Sequence, residues 1–355
     1  MKILIVKLGS IGDIVHTLPT LAAIRRHLPQ SEISWVVERR SAEVLRDNPA
    51  IDNLIEIDTK AMRRVRMSGE TLLAPRWQFH QLRASSFDLA IDFQGLIKSA
   101  LISRLSRSRQ RFGFARPALR ETASRFLNHR QVKVPLDTHV IVKNLALASG
   151  ALGIELDTDP STFGFPLGTG ETHRRDAATA APLGGAQFAI LNPGGGWVTK
   201  LWSPERFGRL ADQLWNEYGL NSLVSFGPGE QELAERVVAA SETGKTRAVS
   251  LSLKGFFELT KLADVYVGGD TGPTHLAVAA RTPVVGLFGP TEWWRNGSPF
   301  AADNCVERND IGCRTDCHRR TCGRWICMDI EVSRVAAAVG QRLAAAGRKA
   351  RLTVA

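Results

Sequence analysis

The stretch "LADVYVGGDTGPTHLA", Leu262 to Ala277, decides the fold. Its first six residues are an apolar-rich run with the look of a buried strand. Gly268 and Gly269 then permit a tight turn and close backbone approach. Asp270 and Thr271 are good helix N-caps, and Pro273 suits a first helical turn. The continuation "THLAVAARTPVVGLFGP" reads as a small-residue helix followed by another buried strand. A strand, a sharp loop and a helix start expose N–H groups where a phosphate can sit.

The same unit recurs outward in both directions. "KILIVKLGSIGD" is a strand and turn, and "IVHTLPTLAAIRRHLP" is an amphipathic helix. "EISWVVE", "IDNLIEID" and "FDLAIDFQG" supply further strands, the last leading into the helix "LIKSALISRLS". The alternation breaks in the Pro/Gly/Thr-rich stretch between Leu156 and Gly185, then restarts with "FAILNPGGG". Short apolar strands alternating with helices imply a parallel sheet covered on both faces. The expected fold is therefore α/β, with two doubly wound Rossmann-like domains. One domain spans 1–165 and the other 166–330. A C-terminal helix and tail, 331–355, follow. Ligands belong at the carboxyl ends of the strands, facing a central cleft.

Composition narrows the class. The chain of 355 residues is 44% hydrophobic and 23% charged, as ordinary globular proteins are. No apolar run of about eighteen residues suggests a membrane span. The start "MKILIVKLGSIGD" lacks a signal-peptide layout, so a cytoplasmic location is expected. The net charge of +11 invites a polyanionic partner. Nucleic acid is disfavoured, because the arginine clusters lack interleaved stacking aromatics. Five cysteines in that compartment read as reduced thiols.

The strand ends carry "KLGSIGD", "NPGGGWVTKLWSPERF", "GPGEQE" and "GGDTGPTH". None is a dinucleotide fingerprint or a P-loop. Together they shift the balance toward a nucleotide site, with Lys200, Glu230 and Asp270 beside three of them. Asp13, at the first strand–helix turn, is either a helix cap or a catalytic base.

These loops resemble those of the ADP-heptose:lipopolysaccharide heptosyltransferases, glycosyltransferase family 9, which have the GT-B fold. That resemblance implies that the N-terminal domain, 1–165, binds the acceptor and the C-terminal domain, 166–330, the nucleotide sugar. It also implies that the helix and tail at 331–355 cross back to the N-terminal domain. "KLGSIGDIVHTLP" and "DTGPTHLA" look like the two most recognisable family motifs, and the similarity runs nearly end to end. "WVVE", "AMRRVR", "DFQGLIKSA" and "RETASRFLNHR" are similar to the subfamily that adds the first heptose, heptosyltransferase I. The resemblance implies inverting transfer of L-glycero-D-manno-heptose from ADP-heptose to Kdo of the lipopolysaccharide inner core, with Asp13 as base. Lys200, Gly195, Gly196, Thr271, Gly272 and His275 are then expected around the donor diphosphate. Asp270 would orient the loop or bind sugar hydroxyls. Glu230, with Glu232 competing, would accept from the ribose, and Leu251 would lie against adenine. No metal cofactor is required, although a loosely held Mg²⁺ is compatible with the site.

The family acceptor is Kdo-lipid A in an anionic inner-membrane surface, to which the enzyme would be peripheral. Lys60, Arg63, Arg64, Arg66, Gln94, Lys98, Arg120 and His139 are the acceptor-site candidates. Arginine forks suit carboxylates and phosphates. The stretch "CRTDCHRRTCGRWICM" departs from the first-heptose pattern and is similar to a segment of heptosyltransferase II. Its Cys313, Cys317, Cys322 and Cys327 are expected to be packed free thiols, with four-thiolate zinc the lesser alternative. Heptosyltransferase II or another family transferase is the alternative function. A nucleotide-sugar epimerase of GT-B fold is the alternative class.

Overall fold

The computed structural model describes residues 1–59, 80, 82–83, 85–314 and 317–347. The chain divides into two units, one ending at Gly168 and the other starting at Thr169.

The first unit holds β1 (Lys2–Val6), β2 (Glu32–Glu38), β3 (Asn53–Ile57), β4 (Leu89–Asp92), β5 (Gln110–Phe114) and β6 (Arg130–Val132). They form a parallel sheet in the order β3-β2-β1-β4-β5-β6. Leu4, Val6, Val36, Ile55 and Ala90 fill its core with Phe87 and Ile102. The strands are nearly all apolar because both faces of the sheet are covered. Helices Ile11–Val15, Leu18–His27, Ile97–Leu105 and Val140–Leu152 accompany them.

The second unit repeats the design. Strands β7 (Phe188–Asn192), β8 (Asn221–Ser225), β9 (Thr246–Val249), β10 (Val265–Gly269), β11 (Val284–Phe288) and β12 (Asn304–Glu307) are parallel, in the order β12-β11-β10-β7-β8-β9. Helix Pro204–Tyr218 buries Phe207, Leu210, Ala211 and Leu214 on this sheet. Its N-terminus is set by Ser203 and Pro204, and Gly219 ends it at φ 67°.

Each sheet reverses its strand order at one place, between β1 and β4 and between β7 and β10. Such switch points leave a crevice outside the strand ends, where ligands bind. The motifs singled out in the sequence follow β1, β4, β7 and β10.

The last helix of the described residues, Val332–Ala345, packs on the second sheet. Val335, Ala336, Val339 and Leu343 complete the core of the second unit. Asn304 Nδ2 donates to the Ala338 carbonyl at 2.9 Å, and Arg342 Nε to Asp303 Oδ1 at 2.7 Å. An apolar stripe on this helix finds its partner on β12 and helix Pro204–Tyr218.

Candidate active site

At the β7/β10 crevice, Gly268 pairs in register with Asn192, which brings the two following loops side by side. Thr271 caps helix Gly272–Ala279, its side chain accepting from the Thr274 N–H. That helix therefore begins with Gly272 at the strand end, its first-turn amides having no acceptor within the helix. Lys200 comes from the β7 loop. Its Nζ donates to the Asp270 carbonyl at 3.0 Å and to Asp270 Oδ2 at 2.6 Å. Asp270 Oδ1 lies 3.2 Å from His275 Nε2. The Lys200 and Asp270 side chains are 10% and 9% exposed. Burial alone would push the Asp270 carboxyl up. The His275 hydrogen bond and the Lys200 charge outweigh it and hold the group well below the usual carboxylate range. Asp270 is thus the residue that orients both Lys200 and His275.

The Lys200 Nζ also sits 4.1 Å from the centre of the Trp197 ring. Thr199, buried, donates from Oγ1 to the Arg319 carbonyl at 2.6 Å and accepts from Trp325 Nε1 at 2.9 Å. Gly195 packs against Leu201, and Gly196 is open.

Glu230 starts helix Gln231–Ala239 after β8 and accepts from the Gly227 N–H at 3.0 Å. Its carboxylate faces Gly194 so closely that a Cβ there would lie 2.5 Å from Glu230 Oε1. This ties the β7 and β8 loops together and favours Glu230 over the exposed Glu232 as the residue within the crevice. Leu251 precedes the N-cap Ser252 and is half-buried.

The β1/β4 crevice of the first unit carries a second cluster. Asp13 Oδ2 accepts from Ser10 N at 2.9 Å and from Ser10 Oγ at 3.1 Å. Its Oδ1 lies 3.8 Å from Lys7 Nζ, and the side chain is 42% exposed. One oxygen caps the helix while the other faces a buried cation and solvent. Lys7 itself donates to the Phe93 carbonyl at 2.9 Å. Behind it lies Asp92, fully buried. Its Oδ1 accepts from Gln94 and Gly95 N–H groups at 3.0 and 3.1 Å. Its Oδ2 has no hydrogen-bond partner among the described residues. Burial pushes the Asp92 carboxyl up to about 6, against the pull of those hydrogen bonds and of Lys7.

Gln94 turns its Oε1 to the Leu8 N–H at 3.1 Å. Lys98 pairs with buried Glu38 at 2.8 Å and donates to Thr59 Oγ1 at 3.1 Å. Asp13, Gln94 and Lys98 therefore gather at the ends of β1, β4 and β2. Arg120 is exposed, beside Glu121, whose carboxylate accepts from the Ile97 N–H. His139 caps helix Val140–Leu152, accepting from the Ile141 N–H, with its ring 5.4 Å from that of His16. Lys60, Arg63, Arg64 and Arg66 lie outside the described residues.

The family described as "Glycosyltransferase family 9 (heptosyltransferase)" matches residues 76–343. The chain belongs to glycosyltransferase family 9. The lipopolysaccharide heptosyltransferase 1 of Pseudomonas aeruginosa is 33% identical over 327 residues, 91% of this chain and 87% of the relative. Among solved structures, E. coli heptosyltransferase WaaC with ADP-2-deoxy-2-fluoro heptose matches with a TM-score of 0.71. It is 25% identical, over 96% of this chain and 98% of that one. E. coli ADP-heptose lps heptosyltransferase II gives a TM-score of 0.75 at 19% identity, over 98% and 100% of the two chains. The fold class of this family 9 chain is GT-B.

The five cysteines of this glycosyltransferase are all unbridged. Cys313, Cys317, Cys322 and Cys327 line one pocket with Thr199, Arg319 and Trp325. Burial pushes the Cys327 thiol up, and the neighbouring thiols add to this. The Trp325 and Arg324 N–H groups pull Cys322 down. Among the described residues, no three His, Cys, Asp or Glu side chains are arranged to hold a metal ion.

Several contributors escaped the sequence reading: Lys7, Glu38 and Asp92 in the first unit, Gly194, Trp197 and Trp325 in the second. Lys7 had one available signal, a lysine closing an otherwise apolar strand beside a glycine turn. Trp325 had none, since its partner is 126 residues away.

Proposed function

We propose that this family 9 glycosyltransferase is heptosyltransferase I. It would move L-glycero-D-manno-heptose from ADP-heptose to Kdo of the lipopolysaccharide inner core, with inversion at the anomeric carbon. The observation that carries the reading is the buried Lys200–Asp270–His275 network against the N-terminus of helix Gly272–Ala279. A fixed ammonium and a positive helix end meet the charge that grows on a departing diphosphate. Glu230 suits the ribose hydroxyls. Asp13 takes the proton from the acceptor hydroxyl as its oxygen attacks the anomeric carbon. The bond from that carbon to the diphosphate oxygen breaks, and ADP leaves.

The acceptor is proposed to be Kdo-lipid A at the cytoplasmic face of an anionic membrane. From Lys98 to Arg130 the sequence has nine Lys or Arg residues and one acid, Glu121. The same segment and its edge expose Ile97, Leu101 and Phe126, Phe126 being 72% exposed. Basic and apolar groups together suit peripheral contact with anionic lipid. No helix among the described residues is long and apolar enough to cross a membrane.

The deciding experiment incubates the protein with ADP-heptose and either Kdo-lipid A or heptosyl-Kdo-lipid A, with products weighed by mass spectrometry. The expected result is one heptosyl addition to Kdo-lipid A, undiminished by a chelator. Product only from the heptosylated acceptor would assign heptosyltransferase II, to which the cysteine segment is similar. Donor turnover without any acceptor would assign the epimerase class.

A further inference from the structure

We propose that Trp325, acting through Thr199, and Trp197, acting against the ammonium, are positioning residues for Lys200. This rests on Lys200 meeting the donor diphosphate. Lys200 closes a loop of three glycines, Gly194 to Gly196, and then Trp197 to Thr199. Glycines give such a loop no conformation of its own. Asp270 anchors the tip of the Lys200 side chain. Something else must hold the backbone that carries it.

The holding groups come from the cysteine-bearing segment. The hydroxyl and the carbonyl of Thr199, adjacent to Lys200, are both taken: Oγ1 by the Arg319 carbonyl and the carbonyl by Trp325 Nε1. Thr199 is 1% exposed, so these hydrogen bonds are shielded from water. Trp325 reaches its partner with its own backbone at φ 22°, a region that costs a residue with a side chain. Trp197 supplies the second constraint. Its ring lies 4.1 Å from Lys200 Nζ and 5.2 Å from Arg320 Cζ, and aromatic faces attract both cations. The ammonium is thereby held between a carboxylate and a ring before any ligand arrives. Preorganisation of this kind is worth most when charge develops on the leaving group.

The test is a double-mutant cycle on the whole protein, with kcat, KM for ADP-heptose and melting temperature measured for each variant. Trp325→Phe keeps an aromatic side chain while removing the Nε1–H donor with the five-membered ring that bears it. It should lower kcat about tenfold, as loss of one shielded hydrogen bond does, with KM and melting temperature little changed. Thr199→Val should behave alike and Thr199→Ser should retain turnover. Combined with Lys200→Met, Trp325→Phe should add almost nothing, because the group it positions is already gone. Wild-type kcat in Trp325→Phe, or losses that multiply independently with those of Lys200→Met, would overturn the proposal. Wild-type kinetics in Lys200→Met itself would overturn the diphosphate assignment as well, which separates the two failures.

Discussion

Asp13 has two carboxylate oxygens with different employment. Oδ2 caps the short helix Ile11–Val15 through Ser10, while Oδ1 remains near Lys7 and solvent. From the sequence, cap and base were equal readings, and the geometry accommodates both at once. Asp13→Asn separates them, since the amide oxygen still accepts from Ser10 but cannot take a proton. The variant should melt as wild type does and lose at least about 10²-fold in kcat. A variant with near-normal turnover would return Asp13 to capping alone. Asp92 makes a different prediction. Its carboxyl titrates near 6 when folded and near the ordinary value of about 3.9 when unfolded. The folded state therefore holds this proton more tightly, and its contribution to stability falls as pH rises from about 4 to about 6. Relative to Asp92→Asn, the wild type should lose roughly 2 kcal/mol across that window and nothing further above it. Parallel denaturation curves for the two proteins from pH 4 to 7 would contradict this.

Loops after strands carry the candidate site, and their punctuation made them legible. Glycine, proline and acidic caps cluster after β1, β7, β8 and β10 because a chain leaving a buried strand must turn sharply and then start a helix. The alternation of strand and helix was readable for the same reason. What joins one loop to another was not. Glu230 approaches Gly194 because β7 and β8 are neighbours, and Lys98 reaches Glu38 across the end of β1, which lies between β4 and β2. The pairing of Gly194 with Glu230 predicts a separation of function from fold. Gly194→Ala would place a Cβ 2.5 to 2.8 Å from the Glu230 carboxylate, which can swing away at little cost to the core. KM for ADP-heptose should rise about tenfold or more as a charged hydrogen-bond acceptor is displaced. The melting temperature should move little. An unchanged KM would remove Glu230 from the ribose site.

At the scale of the whole molecule, two copies of one sheet order present two different switch-point chemistries. The first crevice holds carboxylates, Asp13 and buried Asp92, around one lysine. The second holds a lysine fixed by one carboxylate at a helix N-terminus. The proposed mechanism assigns proton removal to the first and leaving-group charge to the second. The packing of the terminal helix was not legible in the sequence, because an apolar stripe does not name the surface it meets; β12 and helix Pro204–Tyr218 supply that surface. The central claim is that the donor diphosphate sits in the second crevice, and calorimetric titration with ADP tests it most directly. Lys200→Met, shown by melting to be folded, should bind ADP about tenfold or more weakly, as loss of a buried charged contact does. Asp13→Asn should bind it as wild type does. Equal ADP affinity in wild type and Lys200→Met, or weakened binding in Asp13→Asn alone, would contradict the account.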